Sequence, residues 1–84
     1  MSPKSENILP RKTRTLDVRP LMARGEEPFA KIMQTIASLG ATEDLILVTP
    51  FLPSPLIEKL GSEGFHSRPE RRGDGGWQTH FARE

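Results

Sequence analysis

Apolar residues in this chain recur every three to four positions, alternate, or cluster, and each pattern predicts an element. Between Phe29 and Gly40 they fall at Phe29, Ile32, Met33, Ile36, Ala37 and Leu39. At about 100° per residue these occupy an arc of about 160°, with Lys31, Gln34, Thr35 and Ser38 opposite, which predicts one amphipathic helix. Pro28 suits its first turn, Glu26 and Glu27 complement the positive end of its dipole, and Gly40 suits a left-handed closure. Ahead of it, RTLDV over 14–18 sets Leu16 and Val18 against Asp17, the alternation of a half-buried strand. RPLMARGE reads as the connecting loop. Behind the helix, the run Leu45 to Val48 between Asp44 and Thr49 is too short for a helix and fits a central strand. Strand, helix, strand predicts a parallel pair with a right-handed crossover.

Pro50, Pro53 and Pro55 in TPFLPSP forbid regular pairing. Ser54 then suits the cap of a second helix starting at Pro55, with Leu56, Ile57 and Leu60 inward and Gly64 at its end. From Phe65 the chain reads as a hairpin: FHSRPERR, a turn at GDGG, then WQTHFA. Phe65 is buried only if it shares a face with Trp77, Thr79 and Phe81. A three-residue loop, Asp74-Gly75-Gly76, achieves this by placing Gly73 opposite Trp77 and Glu70 opposite His80. The order βαβαββ predicts an α/β (α+β) two-layer sandwich, a four-stranded mixed sheet with two helices on one face. Ile32, Ile36, Leu47, Trp77 and Phe81 are its expected core. Residues 14–84 form this single domain; residues 1–13, polar and with two prolines, read as a flexible basic tail.

Composition narrows the classes. The 84 residues include no cysteine, which removes disulfides, thiolate metal sites and thiol nucleophiles. No apolar run reaches the about 18 residues of a membrane span. The N-terminus lacks the apolar segment of a signal peptide, so the cytoplasm is the expected compartment. The net charge is +1. Lys4, Arg11, Lys12 and Arg14 against Glu6 give +3 for residues 1–14, leaving eight basic and ten acidic side chains, or −2, for residues 15–84. The folded part lacks the basic excess of a nucleic-acid binder.

Candidate chemistry is sparse. His66 and His80 are the only imidazoles. In the register above His66 faces Glu84 and the two rings stand about 13 Å apart along the strands, too far for a shared metal. Ser54 is accounted for as a cap, and no serine sits in an elbow motif. GDGG joins two strands and precedes no helix, so it is a turn and not a phosphate loop. Arg68, Arg71 and Arg72 around Glu70 either contact an anion or form an exposed charged strand. One location gathers more. Beyond the carboxyl ends of the parallel strands, Arg19 to Gly25 lie beside Thr49 to Ser54, near both helix N-termini. There Phe51 either folds beneath the second helix or forms, with Leu52, a proline-stiffened apolar surface for a partner.

LDVRPL, a proline opening an amphipathic helix, a parallel strand, a second helix and a terminal hairpin together resemble the TusA/SirA sulfur-carrier superfamily. LDVRPLMARGEEPFAKIM, LVTPFLPSPL, GFH and GDGGW are similar, more closely, to a cysteine-less bacterial branch, the domain of unknown function 2249, over about residues 15–82. The resemblance implies the fold. In the carriers a Cys-Pro-x-Pro motif at the start of the first helix takes a persulfide from a cysteine desulfurase. Here Gly25, Glu26, Glu27 and Pro28 occupy those four positions and the loop ahead is longer, so the persulfide chemistry does not carry over.

The expected function is that of a small non-enzymatic module, without cofactor or metal, binding a protein or small ligand at that loop edge. Its expected site residues are Arg19, Arg24, Gly25, Glu26, Glu27, Thr49, Phe51 and Leu52. The expected partner is a protein, not nucleic acid or a membrane, and the expected state a monomer or weak homodimer. The alternative is an enzyme or subunit using His66 or His80 with a bound cofactor or metal.

Overall fold

The computed structural model describes residues 11–83. Seven elements follow in order: β1 (Lys12–Asp17), α1 (Arg19–Ala23), α2 (Phe29–Ala37), β2 (Glu43–Thr49), α3 (Ser54–Gly61), β3 (Phe65–Arg71) and β4 (Trp77–Arg83). The strands make one mixed sheet in the order β1-β2-β4-β3, with β1 and β2 parallel and the other neighbours antiparallel. The two-layer sandwich predicted by the pattern is the architecture found, with one helix more.

Strand alternation decides which side chains meet the helices. Leu45 and Leu47 of β2 share a face with Phe81 of β4 and Phe65 of β3. Ile32 and Ile36 of α2, Leu60 of α3, and Val18 and Leu39 from the connections pack onto that face as one core. The other face carries Asp44, Ile46, His80, Arg68 and His66. Trp77, expected in the core, is only half-buried. It opens β4 at the end of the sheet, opposite Arg71, whose guanidinium lies 5.8 Å from its ring centroid.

The expected loop RPLMARGE holds the extra helix, α1. Asp17 Oδ1 accepts the Arg19 amide at 3.0 Å and Pro20 occupies the first turn. Gly25 closes it with φ +79°: Glu26 N–H donates to Leu21 O and Gly25 N–H to Met22 O, both at 3.0 Å. This is the Schellman pattern, which needs a left-handed residue where Gly25 stands. Val18, expected in a strand over 14–18, is instead the N-cap of α1. Since β1 begins at Lys12, the expected tail 1–13 includes strand, and its residues 1–10 lie outside the described residues.

The helix ends also differ from expectation. α2 begins after Pro28 and stops at Ala37, so Glu26 and Glu27 precede it and none of its first-turn residues is acidic. Gly40 is not left-handed; its N–H donates to Glu43 Oε1 at 2.8 Å. Ser54 is the first residue of α3, not its cap, and α3 ends at Gly61, short of Gly64.

The hairpin loop is Gly73-Asp74-Gly75, one residue earlier than expected. Gly75 N–H donates to Arg72 O (3.2 Å) and Arg72 N–H to Gly76 O (2.8 Å). Moving the loop by one slides the pairing by two, so each side chain keeps its face and changes its partner. Arg71 lies opposite Trp77, Glu70 opposite Gln78, and Arg68, not Glu70, opposite His80. His66 faces Ala82 and not Glu84, which brings the two histidines onto neighbouring rungs of one face.

Candidate functional site

The loop edge is built around Arg19. Its Nε and Nη2 donate to Asp17 (3.0 and 2.8 Å), and its Nη1 donates to Asp74 Oδ2 (2.9 Å) in the hairpin turn. Asp74 Oδ1 accepts the Gly76 amide at 3.0 Å, and Arg72 Nε also donates to Asp74. The Arg19 fork therefore joins the close of β1, at Asp17, to the hairpin turn between β3 and β4, at Asp74. These donors hold both carboxyl groups below the usual carboxylate range, Asp17 chiefly through Arg19 and Asp74 chiefly through Arg19 and then Gly76. Gly76 sits so tightly in this clamp that a Cβ there would stand 3.0 Å from both Arg19 Nη1 and Thr49 O.

Next to the clamp, the starts of α2 and α3 enclose a cavity of about 370 Å³. Val18, Ile32 and Leu56 form its floor, and Glu27, Phe29, Phe51 and Lys59 stand on its walls. Phe51 does not fold beneath α3. It is 52% exposed and Phe29 44% exposed, which makes them the most exposed large apolar side chains among the described residues. Pro53, buried, and Pro55 fix the loop that carries Phe51, and the Thr49 hydroxyl donates to Phe51 O at 2.6 Å.

The expected site residues divide accordingly. Glu27, Thr49 and Phe51 line the cavity. Arg19 is committed to the clamp, Gly25 closes α1, and Arg24 and Glu26 form an exposed ion pair at 2.9 Å that lowers the Glu26 carboxyl. Leu52 is exposed at 39% but is not among the lining residues. Met22, Phe29, Ile32, Leu56 and Lys59 also line the cavity and were not expected there. Phe29 and Ile32 were legible only as members of the helix's apolar arc; Ile32 joins the core and also lines the cavity, while Phe29 stands exposed on its wall.

A second cavity, of about 490 Å³, opens on the helix-free face of the sheet. Asp44, 4% exposed, lies at its base. Arg11 donates to Asp44 Oδ1 from Nε at 2.8 Å and also from Nη2, while His80 Nε2 stands 2.9 Å from Oδ2. The Arg11 hydrogen bond, and after it that of His80, holds the Asp44 carboxyl below the usual range against the opposing effect of burial. His66 and Arg68 complete the polar wall. Among the described residues no group of three His, Asp or Glu side chains is placed to hold a metal ion.

Residues 15–83 match the family model described as an uncharacterized conserved protein (DUF2249). The chain belongs to the DUF2249 family. Neither a curated protein nor a solved structure matches it. The DUF2249 match takes in the Arg19 clamp from Asp17 to Gly76, the whole apolar cavity, and Asp44 with His80; Arg11 lies ahead of it. No helix among the described residues is long and apolar enough to cross a membrane.

Proposed function

We propose that this chain is a small non-enzymatic binding module of the cytoplasm whose apolar cavity takes an apolar side chain of a protein partner. The observation that carries this reading is that Phe29 and Phe51, each about half exposed, stand on the walls of one cavity. Specific interfaces are anchored by a few apolar or aromatic side chains seated in pockets and ringed by polar groups. Glu27 and Lys59 supply opposite charges on this rim. The floor belongs to the packed core through Val18 and Ile32, so binding orders little that is not already ordered.

The order of the main elements and the proline opening α2 support a relation in fold to the TusA/SirA carriers. Carrier chemistry has no support. Gly25, at the position of their cysteine, has φ +79°, which an L side chain adopts only with strain. The backbone, as well as the missing thiol, argues against a persulfide there.

Affinity capture with tagged protein in the native cell tests the reading. Phe51→Ala and Phe29→Ala should each lose the same partner while keeping a cooperative unfolding transition, because both side chains are about half exposed and neither belongs to the core. A partner retained by both variants would overturn it.

A second reading has one observation in its favour. Buried Asp44 orders the His80 ring at the edge of the second cavity, as an enzyme or cofactor-dependent subunit using His66 or His80 would require. An activity lost on His80→Gln and kept on Phe51→Ala would select that reading.

A further inference from the structure

On the helix-free face, the arginine and aspartate side chains among the described residues that line the second cavity do not balance. Arg11 and Asp44 cancel each other through their paired hydrogen bonds. The guanidinium of Arg83, another lining residue, lies over the Phe65 ring at 4.9 Å, away from this wall. Arg68 is left. It is exposed, makes no ion pair or hydrogen bond with any described residue, and stands directly opposite His80 across β3 and β4. Directly opposed side chains in an antiparallel pair have Cβ atoms about 5 Å apart. Glu70, two residues along the same strand, lines a different hollow with Arg72 and Asp74.

The state of the His80 ring follows from its partner. Arg11 keeps Asp44 ionised, so Asp44 Oδ2 is an acceptor and His80 Nε2 carries the hydrogen between them. No described residue bonds to Nδ1. In the neutral ring Nδ1 is therefore an acceptor, and His80 lines the same cavity as Arg68, whose guanidinium fork has five donors. A ligand suited to both must present acceptor oxygens to Arg68 and an O–H to Nδ1.

We infer that this cavity is an oxyanion site for hydrogen phosphate, held by Arg68 and His80. Two phosphate oxygens accept from the Arg68 fork in the bidentate manner usual for this pair. The remaining O–H donates to His80 Nδ1. Sulfate has the same shape and charge but no O–H at neutral pH, so its oxygen would face the Nδ1 lone pair with no hydrogen between them. An unsatisfied acceptor of this kind is worth about tenfold in affinity or more. The inference does not depend on the docking role of the apolar cavity, which lies on the other face of the sheet.

Amide chemical shifts of the full chain, followed during titration with sodium phosphate or sodium sulfate at equal ionic strength and about pH 8, where an ordinary imidazole is neutral, provide the test. Phosphate should shift the amides around Arg68 and His80 saturably, with sulfate at least about tenfold weaker. Arg68→Gln should weaken phosphate by at least about tenfold, and Arg24→Gln, at the opposite loop edge, should not. Equal responses to the two anions, shifts that do not saturate, or equal losses in the two variants would overturn the site. The phosphate-to-sulfate comparison on the unmodified chain decides the matter even if Arg68→Gln fails to fold.

Discussion

Single residues in this chain carry more structure than their types advertise. Asp17, Asp44 and Asp74 are each held ionised by arginines, and in Asp44 a histidine adds to this. Their folded pKa values lie below the unfolded ones. The stability they contribute is thus fully present above the unfolded carboxylate value of about 3.9 and is lost as pH falls through the folded values. Urea midpoints should fall as the pH drops below about 4. Added salt should reduce the share owed to Asp17 and Asp74, which are partly exposed, more than that owed to Asp44, which is buried. A midpoint that does not fall on acidification below about pH 4 would contradict these assignments. The Asp44–His80 pair was not legible in the sequence. Asp44 reads as the polar end of a strand, and its partners lie 33 residues before it and 36 after it. Gly25 was legible and was missed: Pro20 at the start and Gly25 just past the end of RPLMA form the proline–glycine asymmetry of a short helix.

Elements were read well where burial dictates them and poorly where it does not. The arc of α2 placed Ile32 and Ile36 inward, and both are nearly fully buried. Ile36→Ala should cost about 2–4 kcal/mol through lost transfer energy and the cavity left behind; a midpoint close to wild type would show that the helix face is wrong. The hairpin shows where the pattern stops informing. Loops at 73–75 and 74–76 bury the same faces, so alternation cannot choose between them. The choice falls to Asp74, which caps the Gly76 amide and meets Arg19, and to Gly76, which fits beneath Thr49 O only because it lacks a side chain. Gly76→Ala should therefore destabilise by about 1–3 kcal/mol, since one of the two nearest obstacles, Thr49 O, is backbone and cannot swing away, and the other, Arg19 Nη1, is held in the clamp. Gly73→Ala, with open space around its position, should cost less in the same urea titration. Equal costs would mean that the clamp does not set the register.

For the molecule as a whole, the sheet separates two surfaces of different chemistry. Helices bury one face and leave an apolar cavity where α2 and α3 begin; the other face remains open and polar. The sequence pointed to the loop edge by topology alone, through the rule that ligands gather beyond the carboxyl ends of parallel strands. It could not tell which side chains there were spent on structure. Arg19 looked like a ligand-binding cation and is a clamp, whereas Phe29 looked like core and stands on the rim. The central claim is that this rim meets a protein. A photo-crosslinking amino acid placed at position 51 in the full chain, in the native cell, reports that contact directly. Ala37, exposed at the far end of α2 and about 12 Å along the helix from Phe29, is the control position. The account predicts one discrete adduct from position 51, abolished by Phe29→Ala, and none from position 37. No adduct from position 51, or the same adducts from both positions, would contradict it.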